Sequence, residues 1–159
     1  MRNKLFEKYE RISNQLTELF EKTDDLDARL ATVCALLKYK FEKNFWVGFY
    51  FLKNGELTVK CYQGPLACQV LKKDKGVCWA AINSGKSLIV PDVSKFVGHI
   101  ACDSRSKSEI VIPVKDKSGT IIGVLDVDSD KLDSYSSEDL KGLEKIVGQL
   151  NKQVSHEKF

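Results

Sequence analysis

The chain has 159 residues, 43 % hydrophobic and 30 % charged, which allows one ordinary buried core and argues against disorder. Its 25 basic and 22 acidic residues leave a net charge of +3, spread along the chain without a basic run, so neither a nucleic-acid nor a membrane partner is expected. The longest apolar run, Phe45 to Leu52, is far too short to cross a bilayer, and the N-terminus shows no apolar leader, so a cytoplasmic location is expected.

Between Lys4 and Glu21, apolar side chains recur every three or four residues (Leu5, Phe6, Tyr9, Ile12, Leu16, Leu19, Phe20), which predicts an amphipathic helix. Thr23, Asp24 and Asp25 interrupt it and can cap a second helix, whose face carries Leu26, Leu30, Val33, Leu37 and Phe41. Phe45 to Leu52 and Leu57 to Tyr62 are aromatic and β-branched. Asn54-Gly55 between them predicts a hairpin, because both residues tolerate positive φ. A short helix is expected over Gly76 to Asn83, ending near Gly85. Three strands follow, Lys86 to Val90, Ser108 to Val114 and Thr120 to Asp128, the last two joined at Ser118-Gly119. Ser136 and Ser137 cap a closing helix with Leu140, Leu143, Ile146, Val147, Leu150 and Val154 on its apolar face. This order predicts a single α+β domain over residues 1–159, with helices packed on a mainly antiparallel sheet. Gly64 to Ile110 is the least regular stretch, and irregular chain on a rigid sheet is where sites concentrate.

Strand alternation puts Trp46, Gly48 and Tyr50 on one face and Val47, Phe49 and Phe51 on the other. Trp46 and Tyr50 can wall a small-ligand pocket, or fill a core with their polar tips satisfied. Asp126 and Asp128 share a face at the end of an apolar strand. Glu109 opens another, opposite in direction to Ile110, Ile112 and Val114. Carboxylates beside apolar runs are costly to bury without a partner. Three acids on one face can surround a cation such as a ligand ammonium, or hold a proton to near-neutral pH. The competing reading is solvated acids that cap turns, most plainly for Asp128 beside Ser129 and Asp130.

The five cysteines are Cys34, Cys61, Cys68, Cys78 and Cys102. An odd number without an export signal argues against a structural disulfide framework. With no C-x-x-C pair and only His99 and His156, structural zinc is not expected. Cys34 and Cys61 lie among apolar helix and strand positions and read as packing residues. Cys68 and Cys102 sit in turn-rich loops flanking the strands that bear the acids. Cys78 opens the short helix, where the N-terminus favours a thiolate. His99, three residues from Cys102, can polarise that thiol or simply pack. Spacing does not say which cysteines meet. Dinucleotide, P-loop, zinc-protease and serine-elbow motifs are absent, and no metal or organic cofactor is expected.

Several of these segments, in order, resemble the free methionine-(R)-sulfoxide reductases. They are Trp46-Val47-Gly48-Phe49-Tyr50, Gly64-Pro65-Leu66-Ala67-Cys68, Gly76-Val77-Cys78, Gly98-His99-Ile100-Ala101-Cys102-Asp103-Ser104, Ser108-Glu109-Ile110-Val111-Ile112-Pro113 and Gly123-Val124-Leu125-Asp126-Val127-Asp128-Ser129. The resemblance implies a GAF fold, a pocket enclosing one free amino acid, and a homodimer. It makes Cys102 the nucleophile, Cys68 its disulfide partner, and Cys78 a third cysteine of less settled role. Trp46, Tyr50, Glu109, Asp126 and Asp128 match the pocket residues. It further implies that Cys102 becomes a sulfenic acid, that Glu109 or an aspartate supplies the proton, and that a thioredoxin-like dithiol restores the enzyme. Two residues depart from the pattern: Trp79 stands where the family has glycine, and Val97 where it has proline. Trp79 is expected either to crowd the short helix or to reshape one wall of the pocket, and Val97 to loosen the loop that carries Cys102. The alternative is a GAF module that binds a small ligand or senses redox state without turnover.

Overall fold

The amphipathic face read at the N-terminus forms one wall of the core. The computed structural model describes residues 3–152, and in it α1 (Lys4–Phe20) buries Tyr9, Ile12, Leu16 and Phe20. Asn3 caps it by accepting from the Leu5 amide. Asp25 caps α2 (Leu26–Lys40) by accepting from the Ala28 amide. Arg29 of α2 reaches back to the Phe20 carbonyl (2.5 Å), fixing the angle between the two helices.

Strands β1 (Trp46–Lys53) and β2 (Glu56–Gln63) make the expected hairpin. Asn54 and Gly55 both take positive φ, 52° and 79°. The hairpin carries one irregularity. Tyr50 pairs with Val59 but Phe49 pairs with Cys61, so Lys60 is an extra residue in β2. The two-residue strand β3 (Val70–Leu71) follows, then α3 (Gly76–Ser84), closed by Gly85 in the left-handed conformation at φ 68°. Next come β4 (Leu88–Val90), a 3-10 turn (Val93–Lys95), β5 (Ser108–Lys115), β6 (Ile121–Ser129) and α4 (Ser137–Asn151). Ser136 and Asp139 form a reciprocal capping box at the start of α4.

Two elements escaped the sequence pattern, β3 and the 3-10 turn, both too short to show a period. Strand β4 also starts at Leu88 rather than Lys86. The Lys86 amide bonds to the Ser84 hydroxyl, and Ser87 donates to Glu144 of α4, so these two residues serve the preceding turn and the closing helix. Val154, expected on α4, lies outside the described residues.

The strands form one antiparallel sheet in the order β3-β2-β1-β6-β5-β4. One face packs on α1, α2 and α4, with Phe49, Ile110 and Leu125 fully buried among helix residues such as Leu16, Leu37 and Ile146. The other face carries Trp46, Tyr50, Val111 and Val124, and α3 covers part of it with Val77, Trp79 and Ala81. The rest of this second face is roofed only by the loops bearing Cys68 and Cys102. No helix among the described residues is long and apolar enough to cross a membrane.

Candidate active site

The sheet register decides which side chains meet. Trp46 of β1 pairs with Asp128 of β6, which on its other side pairs with Glu109 of β5. Two residues along, Gly48 pairs with Asp126, which pairs with Val111. Because side chains alternate, Trp46, Tyr50, Asp126, Asp128 and Glu109 all rise from the same face. They line one pocket together with Cys78 of α3 and with Cys102, His99 and Ser106 from the 98–107 loop. Trp46, Tyr50, Cys78, Cys102, Glu109, Asp126 and Asp128 all line this pocket, and Cys68 is bonded to Cys102 at its roof.

Trp46 stacks between Tyr50 (5.8 Å between ring centres) and Tyr62 (5.5 Å). Gly48 permits this, since a Cβ there would lie 2.7 Å from the Tyr62 Cβ and collide with the Trp46 ring. The aromatic tips hold the roof. The Trp46 indole donates to the Pro65 carbonyl and the Tyr50 hydroxyl to the Cys68 carbonyl, each at 3.2 Å. These bonds set the loop that carries Cys68. Cys68 and Cys102 are joined as a disulfide with Cα atoms 5.5 Å apart. Cys102 is exposed and Cys68 half-buried, so the bond stands where a second thiol from solution can reach it.

Beneath the disulfide, Glu109 and Asp126 are 5 % and 7 % exposed. Among the described residues no salt bridge joins Glu109, Asp126 or Asp128 to a cation. Burial, with the charges of Asp126 and Asp128 added, pushes Glu109 well above the usual carboxylate range. Burial raises Asp126 to about 6, against hydrogen bonds from Glu109 and Cys78 that favour its charged form. Burial and Asp126 also raise Asp128, while the Ser106 hydroxyl, 2.5 Å from its Oδ1, pulls the other way. The three acids thus retain at least one proton into the neutral range, shared within the cluster. Oδ1 of Asp126 has no hydrogen-bond partner within the protein, which leaves it as an acceptor for a ligand.

Cys78 departs from its expected state. Its position near the α3 N-terminus suggested a thiolate, yet it is 4 % exposed, and burial together with the three acids pushes its thiol far upward. The thiol stays protonated, 3.9 Å from Glu109 Oε1. Ligand atoms of Cys78, Glu109 and Asp126 lie within 4.8 Å of one another, close enough to share a cation. The protonated thiol opposes that, since the thiolate is the metal-binding form.

Of the two places expected for Trp79, the short helix or the pocket wall, the structure puts it with the helix, outside the pocket lining. Its indole donates to the Leu71 carbonyl at 3.2 Å and its ring is buried under α3, where it anchors β3. Val97 is almost fully exposed on the loop before Gly98. His99 lines the pocket with its Nε2 unpartnered, and partial burial lowers its affinity for a proton. Two contributors went unread in the sequence. Ser106 lies in a loop with no periodic signal, and Tyr62 reaches the pocket face only because of the bulge at Lys60.

A sheet with three helices on one face and a loop-roofed pocket on the other defines the class of protein, and the GAF domain family model matches residues 23–151. The chain is 51 % identical over 142 residues to GAF domain-containing protein A of Dictyostelium discoideum, covering 89 % of each. It is 42 % identical over 125 residues to the free methionine-R-sulfoxide reductase of Escherichia coli, covering 79 % of this chain and 75 % of that one. Among solved structures, the free methionine-R-sulfoxide reductase of Neisseria meningitidis, in complex with its substrate, matches with TM-score 0.90 at 36 % identity, over 96 % and 92 % of the two chains. The chain belongs to the free methionine-R-sulfoxide reductases, an enzyme family built on the GAF domain.

Proposed function

We propose that this protein reduces free L-methionine-(R)-sulfoxide to methionine, using Cys102 as nucleophile, Cys68 as resolving thiol and a thioredoxin-like dithiol as reductant. The observation that carries the reading is the Cys68–Cys102 disulfide directly over a pocket floored by three buried acids. The Cys68 and Cys102 thiols supply the two electrons as they close to this exchangeable disulfide, and the acids supply both a proton and the counter-charge for a free amino acid.

The Cys102 thiolate attacks the sulfoxide sulfur, and the sulfoxide oxygen is protonated by the carboxylic acid cluster, with Glu109 as the assigned donor. The net step transfers one oxygen atom: methionine sulfoxide becomes methionine, and the Cys102 thiol becomes a sulfenic acid. The Cys68 thiol then attacks the Cys102 sulfur, an S–S bond forms and water leaves. The external dithiol reduces this bond by two successive exchanges and becomes a disulfide itself. No step calls for a metal or organic cofactor.

Trp46 packs the methyl end of the substrate, and the unpartnered Asp126 Oδ1 with Asp128 takes its ammonium. Tyr50 lines the wall and fixes the Cys68 loop. We assign Cys78 a supporting part, as a buried thiol donor that shares the acid cluster's protons. A cytoplasmic homodimer is the expected working form.

The test is NADPH consumption with thioredoxin, thioredoxin reductase and separate R and S diastereomers of free methionine sulfoxide. Turnover of R alone supports the reading. A folded, fully reduced protein that turns over neither diastereomer, with thioredoxin or with dithiothreitol, sinks it in favour of a ligand-binding or redox-sensing module.

A further inference from the structure

The packing cysteines are not isolated from each other. Cys34 of α2 and Cys61 of β2 place their sulfurs 3.8 Å apart, on the helix-covered face of the sheet and away from the substrate pocket. We propose that Cys34 and Cys61 are a second redox-active dithiol, which a hydroperoxide converts to a disulfide independently of the Cys68–Cys102 pair.

The arrangement comes from the bulge. Without the extra residue at Lys60, Cys61 would share a face with Leu57 and Val59 and point at the substrate side. The bulge turns it onto the opposite face, against α2. There the pair is asymmetric. Cys34 is 1 % exposed, while Cys61 is only half-buried and open to a small oxidant. The Cys34 thiol hydrogen-bonds to Cys61, which favours the thiolate on Cys61 and the proton on Cys34. Burial and the Asp27 carboxylate work against that thiolate, and Lys60, paired with Asp27 at 3.1 Å, offsets them only in part, so the hydrogen bond from Cys34 is what tips the balance. A partly accessible thiol of lowered proton affinity beside a resolving thiol is the pattern of a redox-sensing cysteine.

The chemistry balances with one oxidant. The Cys61 thiolate attacks the peroxide, an S–O bond forms and the O–O bond breaks, giving a sulfenic acid and, after protonation, water or an alcohol. The Cys34 thiol then attacks the Cys61 sulfur, the S–S bond forms, the S–O bond breaks and water leaves. Two thiols lose two electrons and the peroxide gains them. Reaching bonding distance requires the sulfurs to close from 3.8 Å to roughly 2.0 Å, within reach of side-chain rotation.

The experiment reads thiols rather than turnover, so it stands whether or not the proposed activity is found. Fully reduced wild-type protein is treated with hydrogen peroxide, free thiols are alkylated, and unreduced peptides are mapped by mass. Chymotrypsin is the right protease, because cleavage after Tyr62 separates Cys61 from Cys68, whereas no Lys or Arg lies between Lys60 and Lys72. The expected product is a Cys34–Cys61 cross-linked peptide pair, lost on adding dithiothreitol and absent in both Cys34→Ser and Cys61→Ser. The same link is expected in a Cys68→Ser/Cys102→Ser double variant. Full alkylation of Cys34 and Cys61 at a peroxide dose that closes Cys68–Cys102 overturns the proposal. So does accumulation of sulfinic acid at Cys61 with Cys34 still free, or loss of the link in the double variant.

Discussion

Replacing Asp126 with Asn measures what the acid pocket takes from the stability of the fold. Burial raises the Asp126 carboxyl from its ordinary 3.8 to about 6, and the side chain is only 7 % exposed, so little solvent screening applies. A shift of about 2 units at roughly 1.4 kcal/mol each is about 3 kcal/mol. The sign follows from proton binding. The folded protein holds this proton more tightly than the unfolded chain, so the contribution is intact below about pH 4 and is lost as pH rises through about 6. Asn at the same place has no charge to desolvate. Its own penalty, an amide with imperfect partners worth about 1–3 kcal/mol, does not change with pH. The stability difference between Asp126→Asn and wild type therefore swings by about 3 kcal/mol toward the variant between pH 4 and pH 8. Glu109 adds to the swing, because the Asp126 charge is one of the groups that raise it. The assay is urea unfolding of both reduced proteins without ligand, at unit steps of pH. Parallel stability curves across that range would refute the reasoning, since they would mean that Asp126 is not carried as a desolvated carboxylate. The variant should also bind free methionine sulfoxide roughly 10- to 100-fold more weakly, the loss of one charge-assisted hydrogen bond of about 1.5–3 kcal/mol.

The remaining expectations concern the thiols, the proton and the packing. Cys102→Ser should show no sulfoxide reduction, whereas Cys68→Ser should release one methionine per enzyme in a single-turnover assay and then stall with thioredoxin; sustained thioredoxin-driven cycling by Cys68→Ser would remove its resolving role. Glu109→Gln should lower kcat by roughly 10²- to 10⁴-fold. It should also flatten the alkaline fall of the wild-type rate, which arises because a raised carboxyl loses its donatable proton as pH climbs; a normal alkaline limb in the variant points to Asp126 or Asp128 as donor. Trp79→Phe should cost about 1 kcal/mol in urea unfolding through the lost bond to Leu71 and leave KM unchanged, because the ring stands outside the pocket. A KM change of tenfold would place Trp79 in the substrate site after all.

Much of this arrangement was legible because strand period and turn chemistry are local. Trp46 and Tyr50 are four residues apart in β1 and Asp126 and Asp128 two apart in β6, so alternation alone puts each pair on one face. Antiparallel pairing of β1, β6 and β5 then brings them together with Glu109. The hairpin at Asn54-Gly55 was equally plain. What failed to show was whatever depends on one residue of register. The bulge at Lys60 leaves no mark in composition, yet it exchanges the faces of Cys61 and Tyr62. Read without it, Cys61 would approach the substrate and Tyr62 would lie among the helices. Cys78 failed for a different reason. A helix N-terminus lowers a thiol's affinity for its proton only when the thiolate is solvated, and here burial and three acids outweigh the dipole. For Trp79 the choice between helix and pocket wall stayed open because its direction depends on β3, an element of two residues.

The two faces of the sheet divide the work. The helix-covered face holds the larger apolar core, including Phe49, Ile110, Leu125 and Ile146, all fully buried. The other face sets carboxyl groups on adjacent strands, with Glu109 opposite Asp128, so that ionising both at once is opposed by burial and mutual repulsion. A cation entering the pocket relieves that repulsion. On the proposed chemistry this explains the preference for a free amino acid, because a methionine within a chain has an amide in place of the ammonium and leaves the carboxylates unpaired. The penalty for an unpaired buried charge exceeds the gain from any single apolar contact along the substrate's side chain. Under the proposed function selectivity rests on the acids, and Trp46 is assigned to orient the sulfur toward the loop that carries Cys102.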